Sequence, residues 1–199
     1  MPDLPESRRA DLLAAVRLAT SSSHRRLEEN LLILDRLRSP DRRQELMAAF
    51  YGFYVPVESM LQPLLGRLPG LDFEQRSKIA HLERDLADLG LSPAAIAGLP
   101  LCSVPRPGDT AMAMGLAYVT EGASLGGKVI RRQAETAGLS QTGLSFFGCY
   151  EPDTADMWRR FCAVLEAVGQ APAASSQVIR GAVAGFEAID QWFDQRLGK

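Results

Sequence analysis

Tyr118-Val119-Thr120-Glu121-Gly122-Ala123-Ser124-Leu125-Gly126-Gly127-Lys128-Val129-Ile130 lies inside a run, residues 109–137, that otherwise reads as one long helix. Asp109 and Thr110 can cap its start and Gly138 can end it. Gly122, Gly126 and Gly127 interrupt that pattern. Each glycine costs roughly 1 kcal/mol against alanine in a helix interior, so something must offset them. A missing side chain permits close approach, either of another backbone or of a flat ligand laid against the helix. Spacing alone leaves both open.

Outward from this stretch the chain reads as helices. On the N-terminal side, Leu13, Val16, Thr20, His24, Leu27 and Leu31 recur every three or four residues and share one stripe. Arg17, Arg25 and Arg26 fall off it. Ser21-Ser22-Ser23 predicts a local distortion, because short hydroxyl side chains compete for backbone groups. Ser39-Pro40-Asp41 starts a second helix that Pro56 and Pro63 should kink or divide. A third is expected over 73–89, closed by Gly90, and a short one from Ser92-Pro93 to about Leu99. Pro100 to Gly108 reads as an ordered connector. Beyond the glycine-bearing run, 139–152 reads as irregular with Phe146-Phe147 as an apolar anchor. Helices follow over 153–169 and 173–197. With no strand alternation and no internal repeat, the expectation is a single all-α domain over 1–199 with a flexible leader at 1–5.

The composition is that of an ordinary globular protein, and 199 residues suffice for a sizeable core. A net charge of −2 gives no reason to expect nucleic acid or an anionic membrane as partner. No apolar run approaches the roughly 18 residues of a membrane span, and the N-terminus carries no signal-peptide pattern. Cys102, Cys149 and Cys162 are scattered and odd in number, which argues against a disulfide scaffold or a cysteine zinc site and fits a reducing cytoplasm.

Only two histidines are available for chemistry. His81 sits beside the Ile79/Leu82/Leu86 stripe among Glu83, Arg84 and Asp85, and reads as a solvated surface residue. His24 sits on an inward stripe. Glu28, one turn on, can reach one ring nitrogen and leave the other free for a metal, or can form a simple i,i+4 contact. One histidine cannot build a zinc or di-iron site, and no Glu-x-x-His pair occurs. A single axial histidine does suffice for haem, whose porphyrin supplies the other nitrogens. Haem also needs apolar walls and cations for its propionates. No nucleophile elbow or P-loop is present, and no strand precedes the glycines to make a dinucleotide site. Glu121 alone reads as a solvated helix carboxylate.

Ala19-Thr20-Ser21-Ser22-Ser23-His24 with Leu27-Glu28 resembles the proximal helix of the haem oxygenase family. Tyr118 to Gly127 resembles the glycine-rich distal helix of its bacterial members, including those associated with bacteriophytochromes. Phe53-Tyr54 with Glu58, Leu82 to Leu86, Phe146-Phe147 and the closing helix from Val178-Ile179 to Phe193 match in the same order. The resemblance implies an all-α fold with haem between proximal and distal helices. It implies His24 as iron ligand and Glu28 as its supporting partner. Gly122 and Gly126 would let the distal helix bend over the haem, with Gly127 and Ser124 beside them. Arg17 and Arg159 stand where the family places basic residues near propionates. One departure is Ala123, where mammalian-type members carry an aspartate that organises water near the bound oxygen. Backbone carbonyls near Gly122 and ordered water are the preferred substitutes, and Ser124 a weaker one.

The function implied is oxidative cleavage of haem at a meso carbon to biliverdin, ferrous iron and carbon monoxide. Haem would be both substrate and cofactor. O2 and an electron donor of ferredoxin or flavoprotein type would be required, and a bacteriophytochrome is a possible acceptor of biliverdin. Two rivals are a haem carrier or sensor on the same fold and a helical interaction module that binds no haem.

Overall fold

The structure, a computed structural model, describes residues 9–198. The expected leader at 1–5 lies outside them. Helix α1 spans Arg9–Leu31. The serine run does not distort it. Thr20 Oγ1 donates to the Val16 carbonyl at 2.8 Å and Ser21 Oγ to that of Leu18 at 2.9 Å. These hydroxyls therefore fold back onto their own helix instead of competing with it. Leu32, at φ 43°, breaks the helix, and a one-turn α2 follows at Ile33–Arg36. The sequence reading did not anticipate α2. Its buried Arg36 ties it down, donating to the carbonyls of Leu31 (3.0 Å) and Leu197 (3.1 Å).

Helix α3, Pro40–Leu65, runs on through Pro56 and Pro63, and neither divides it. Tyr54, Val57, Leu61 and Leu65 are buried on both sides of the prolines. That burial offsets the lost backbone bonds. The helix expected over 73–89 does split. Phe73–Arg76 form a 3-10 turn and α4 begins only at Ile79 and ends at Asp88. The break has a cause on α3: Glu58 accepts from the Ser77 hydroxyl at 2.6 Å and from the Lys78 amide at 2.8 Å. Helix α5, Pro93–Ala97, is capped by Ser92, whose hydroxyl accepts from the Ala95 amide.

Helix α6 covers Thr110–Thr136, close to the run read from sequence. Asp109 Oδ1 caps it by accepting from the Met112 amide at 2.7 Å. Gly138, at φ 68°, turns the chain out. Residues 139–153 are irregular apart from a 3-10 turn at Phe146–Gly148. Helices α7, Thr154–Gly169, and α8, Ala174–Leu197, complete the bundle. The described residues contain no strand.

Helices α6 and α8 cross with their backbones in close approach. A Cβ on Gly115 would strike the Val178 carbonyl, and one on Gly181 the Met112 carbonyl. So α6 carries glycines of two kinds, and Gly115, near its N-terminus, serves helix packing. The core beneath is aromatic: Phe50 packs on Phe146 at 4.8 Å and on Phe193 at 5.1 Å between ring centroids. The Phe146 turn is held from α4. Fully buried Asp85 accepts from the amides of Ser145 (2.7 Å) and Phe146 (2.8 Å).

Candidate functional site

A cavity of about 440 Å³ opens between α1 and the glycine-bearing part of α6. That volume falls in the range of small-molecule and cofactor sites. From α1 it is lined by Arg17, His24, Leu27, Glu28 and Leu31. From α6 it is lined by Tyr118, Val119, Gly122, Ala123, Leu125, Gly126 and Ile130. Phe50, Phe146, Phe147, Trp158, Phe186, Ile189 and Phe193 close the other sides. The lining is therefore mostly apolar and aromatic, with its charged groups confined to α1.

His24 opens into this space. Its Nδ1 lies 3.5 Å from Glu28 Oε2, one helical turn on. The Phe186 ring meets the imidazole edge-on at 5.7 Å. This arrangement occupies one ring nitrogen and leaves Nε2 free to act as a donor. Both side chains are more than half exposed, so the pair orients the ring more than it stabilises the fold. Arg17 faces the Tyr118 hydroxyl at the mouth. Burial pushes the Tyr118 phenol up from its ordinary value, while the Arg17 charge and hydrogen bonding from Arg17 and Thr20 oppose the shift. Among the described residues, no cluster of three or more His, Cys, Asp or Glu could hold a metal ion. A porphyrin-borne metal needs no such cluster.

The α6 residues divide by facing. A Cβ added to Gly122 or Gly126 would meet nothing within 4 Å, because both point into the cavity. Gly127 does not. Its missing Cβ makes room for the Phe147 backbone, so its role is packing and not contact with a ligand. Ser124 is also turned away; it is buried, with its hydroxyl 4.0 Å from the Cys149 sulfur. Arg159 is not brought to the cavity either. It is exposed on α7 and pairs with Asp156 at 3.2 Å, because its neighbour Trp158 takes the inward position. Ala123 does line the cavity.

Two further expectations change. His81 is only partly exposed, and its Nδ1 is buried without a hydrogen-bond partner. Burial lowers its pKa, and the neighbouring Arg84 charge adds to this. Glu121 is buried, not solvated. It receives Arg76 Nη1 at 2.5 Å, Lys78 Nζ at 2.7 Å and the Tyr150 hydroxyl at 2.8 Å. This cluster went unread in the sequence because its members come from three separate elements. The split at Ser77-Lys78, which turns Lys78 inward, has no sequence signal of its own.

An all-α bundle with one orienting histidine facing a bare helix face across an aromatic cavity is the architecture of a protein that sandwiches a flat cofactor. The "Heme oxygenase" family model matches residues 10–195. A heme oxygenase from Xanthomonas campestris pv. campestris (strain 8004) is 36% identical over 148 residues, covering 73% of this chain and 80% of that protein. The fold is similar to that of the NO- and CO-bound heme oxygenase of Neisseria meningitidis, with a TM-score of 0.76 at 20% identity over 94% of this chain and 92% of that one. The chain belongs to the haem oxygenase family, and with it to the haem-degrading oxidoreductases.

Proposed function

We propose that the α1–α6 cavity takes haem as substrate and cofactor, with His24 Nε2 as the iron ligand and the whole chain serving as one haem oxygenase-like domain. The observation that carries this reading is the pairing across one cavity of an imidazole steadied by Glu28 with a helix face left bare by Gly122 and Gly126. The residues fit the group. The bare face leaves space that any Cβ would fill, the aromatic walls suit a porphyrin, and Arg17 supplies a cation at the mouth. When bound, haem supplies the iron that activates O2 and the ring that is opened to biliverdin, ferrous iron and carbon monoxide.

The chain's own residues bind, orient and exclude. Glu28 favours the tautomer that carries hydrogen on Nδ1, which keeps Nε2 as a lone-pair donor. Phe186 limits rotation of the ring. Gly122 and Gly126 leave the α6 backbone open to the cavity, so a small ligand bound on that side would meet main chain instead of side chains. Ala123 adds only a methyl group, so hydrogen bonds at that face fall to α6 carbonyls near Gly122 and to water. Phe146, Phe147 and Ile189 keep bulk solvent out. Arg17 would pair with a propionate. Electrons come from a ferredoxin- or flavoprotein-type donor, in a reducing cytoplasm. Among the described residues, no helix is long and apolar enough to cross a membrane.

The test is aerobic turnover of the haem-loaded protein with a reductant. Loss of the Soret band with growth of biliverdin absorption is expected. His24→Ala should abolish or alter the iron spectrum. A Soret band that survives turnover, or a His24→Ala variant with the parent's spectrum, overturns the reading.

A further inference from the structure

Glu121 stands immediately before the first cavity glycine, yet its side chain points the opposite way. It is 4% exposed and receives three donors from behind α6: Arg76, Lys78 and Tyr150. Each of these is itself anchored. Arg76 Nε donates to the Leu71 carbonyl at 2.5 Å, and its Nη atoms reach the Met157 carbonyl on α7 at 3.2 Å. Lys78 Nζ donates to the Tyr150 hydroxyl at 2.8 Å and to the Arg76 carbonyl at 3.1 Å. The Lys78 amide is taken by Glu58 of α3. One carboxylate thus joins α6 to α3, α7 and the turn before α4.

The placement has a mechanical consequence. On its cavity side α6 has no side chain at Gly122 or Gly126 with which to rest against anything. A helix with glycines there is also easier to bend. Its height above the cavity must then be set from behind. Two contacts do so further along, Gly127 on the Phe147 backbone and Ser124 beside Cys149. At the N-terminal edge of the bare stretch the Glu121 cluster does it, next to the Tyr54 hydroxyl that donates to the Thr120 carbonyl at 3.4 Å. A buried carboxylate with two cations suits this work. Displacing it would leave charges desolvated and unpaired, so small movements are strongly opposed.

We propose that Arg76, Lys78 and Tyr150, acting through Glu121, are positioning residues that set how closely the Gly122–Gly126 wall approaches a ligand on the iron. They thereby restrict which meso carbon is attacked. This rests on the haem reading above. It assigns these residues no contact with haem.

Tyr150→Phe tests it with the least disturbance, since it removes one hydroxyl and no charge. The double variant Lys78→Met with Glu121→Gln removes a cation and an anion together at similar volume. In the haem-free protein, amide hydrogen exchange over 122–127 should be about fivefold faster in Tyr150→Phe, the change a single lost buried hydrogen bond produces. In the haem-loaded ferrous protein the C–O stretch of bound carbon monoxide should shift or broaden in both variants, and the biliverdin isomer ratio should spread. His24 ligation should be unchanged. Folded variants with the parent's C–O stretch and isomer ratio overturn the proposal, whatever happens to their thermal stability. A parent protein that binds no haem fails the underlying reading instead, and unchanged exchange over 122–127 then rejects the positioning role as well.

Discussion

The carbonyl oxygen of Phe147 lies 2.5 Å from the point a Cβ would occupy on Gly127. That distance is too short for any side chain, and the atom in the way is main chain. Gly127→Ala must therefore push the Phe146-Phe147 turn off α6. Overpacking of this kind costs on the order of 1–3 kcal/mol, and thermal unfolding should show a lower midpoint. Gly126→Ala should do the reverse. Its Cβ meets nothing within 4 Å, so helix propensity should return about 1 kcal/mol, while the new methyl enters the cavity and weakens haem binding. A titration beside each melt separates the two effects. Equal melting shifts for both alanines would contradict the division of these glycines by facing.

Asp85 offers a second test, away from the cavity lining. Its carboxylate accepts the two amides that start the Phe146 turn, and it is fully buried. Asp85→Ala strands two donors and should cost about 3 kcal/mol, since bonds to a charged acceptor are worth about 1.5–3 kcal/mol each before relaxation. Because Phe146 and Phe147 line the cavity, haem affinity should fall in the folded fraction as well. Asp85→Asn should recover part of both losses, as its amide oxygen can still accept. An Asp85→Ala protein with parental stability would remove Asp85 as the tether.

Much of this was legible in the sequence, and the limits have physical causes. Asp109 and Gly138 bound α6 because a cap and a terminator act locally. The α1 stripe placed His24 and Glu28 together because helical periodicity carries direction. The same periodicity sets Gly122 and Gly126 on one face and turns Gly127 about 100° away, but it does not say which face meets a cavity and which meets the Phe147 backbone. Arg159 was read from its position after Phe146-Phe147, but one residue along a helix turns a side chain by about 100°, and Trp158 is the residue that faces inward. Glu121 was the largest omission. Its partners Arg76, Lys78 and Tyr150 each look solvated in isolation, and only the tertiary break at Ser77-Lys78 makes one of them reach inward.

His81 gives a pH dependence with a definite sign. Its pKa is lowered from the ordinary value of 6.5, chiefly by burial. The unfolded chain then binds more protons than the native one just below pH 6.5. Stability from neutral His81 is thus fully present above 6.5 and is lost as pH falls from there toward the lowered native value. Glu58 acts oppositely at lower pH, because burial raises its pKa above 4.5 and the native state takes up the proton first. Denaturant titrations of the parent and of His81→Gln between pH 5 and 7.5 should show a flatter acid limb in the variant. Parallel pH profiles would exclude His81 as the source.

Ala123 poses the last question, since it lines the cavity between the two bare glycines. The position is open on the cavity side, so Ala123→Asp should fold with only a propensity loss of about 0.7 kcal/mol. Its carboxylate would bring an acceptor to a face where, in the reading above, main-chain carbonyls and water do the hydrogen bonding. If water is ordered there, the carboxylate should strengthen its hold. The C–O stretch of the ferrous carbon monoxide complex should then move, and biliverdin formed per haem consumed should stay level or rise. A fall in that yield with the stretch unmoved would mean that the α6 backbone alone sets the distal environment, and that the methyl of Ala123 is there to keep other groups away. The corresponding Ala123→Asn variant separates charge from size, because it brings a comparable acceptor without the negative charge.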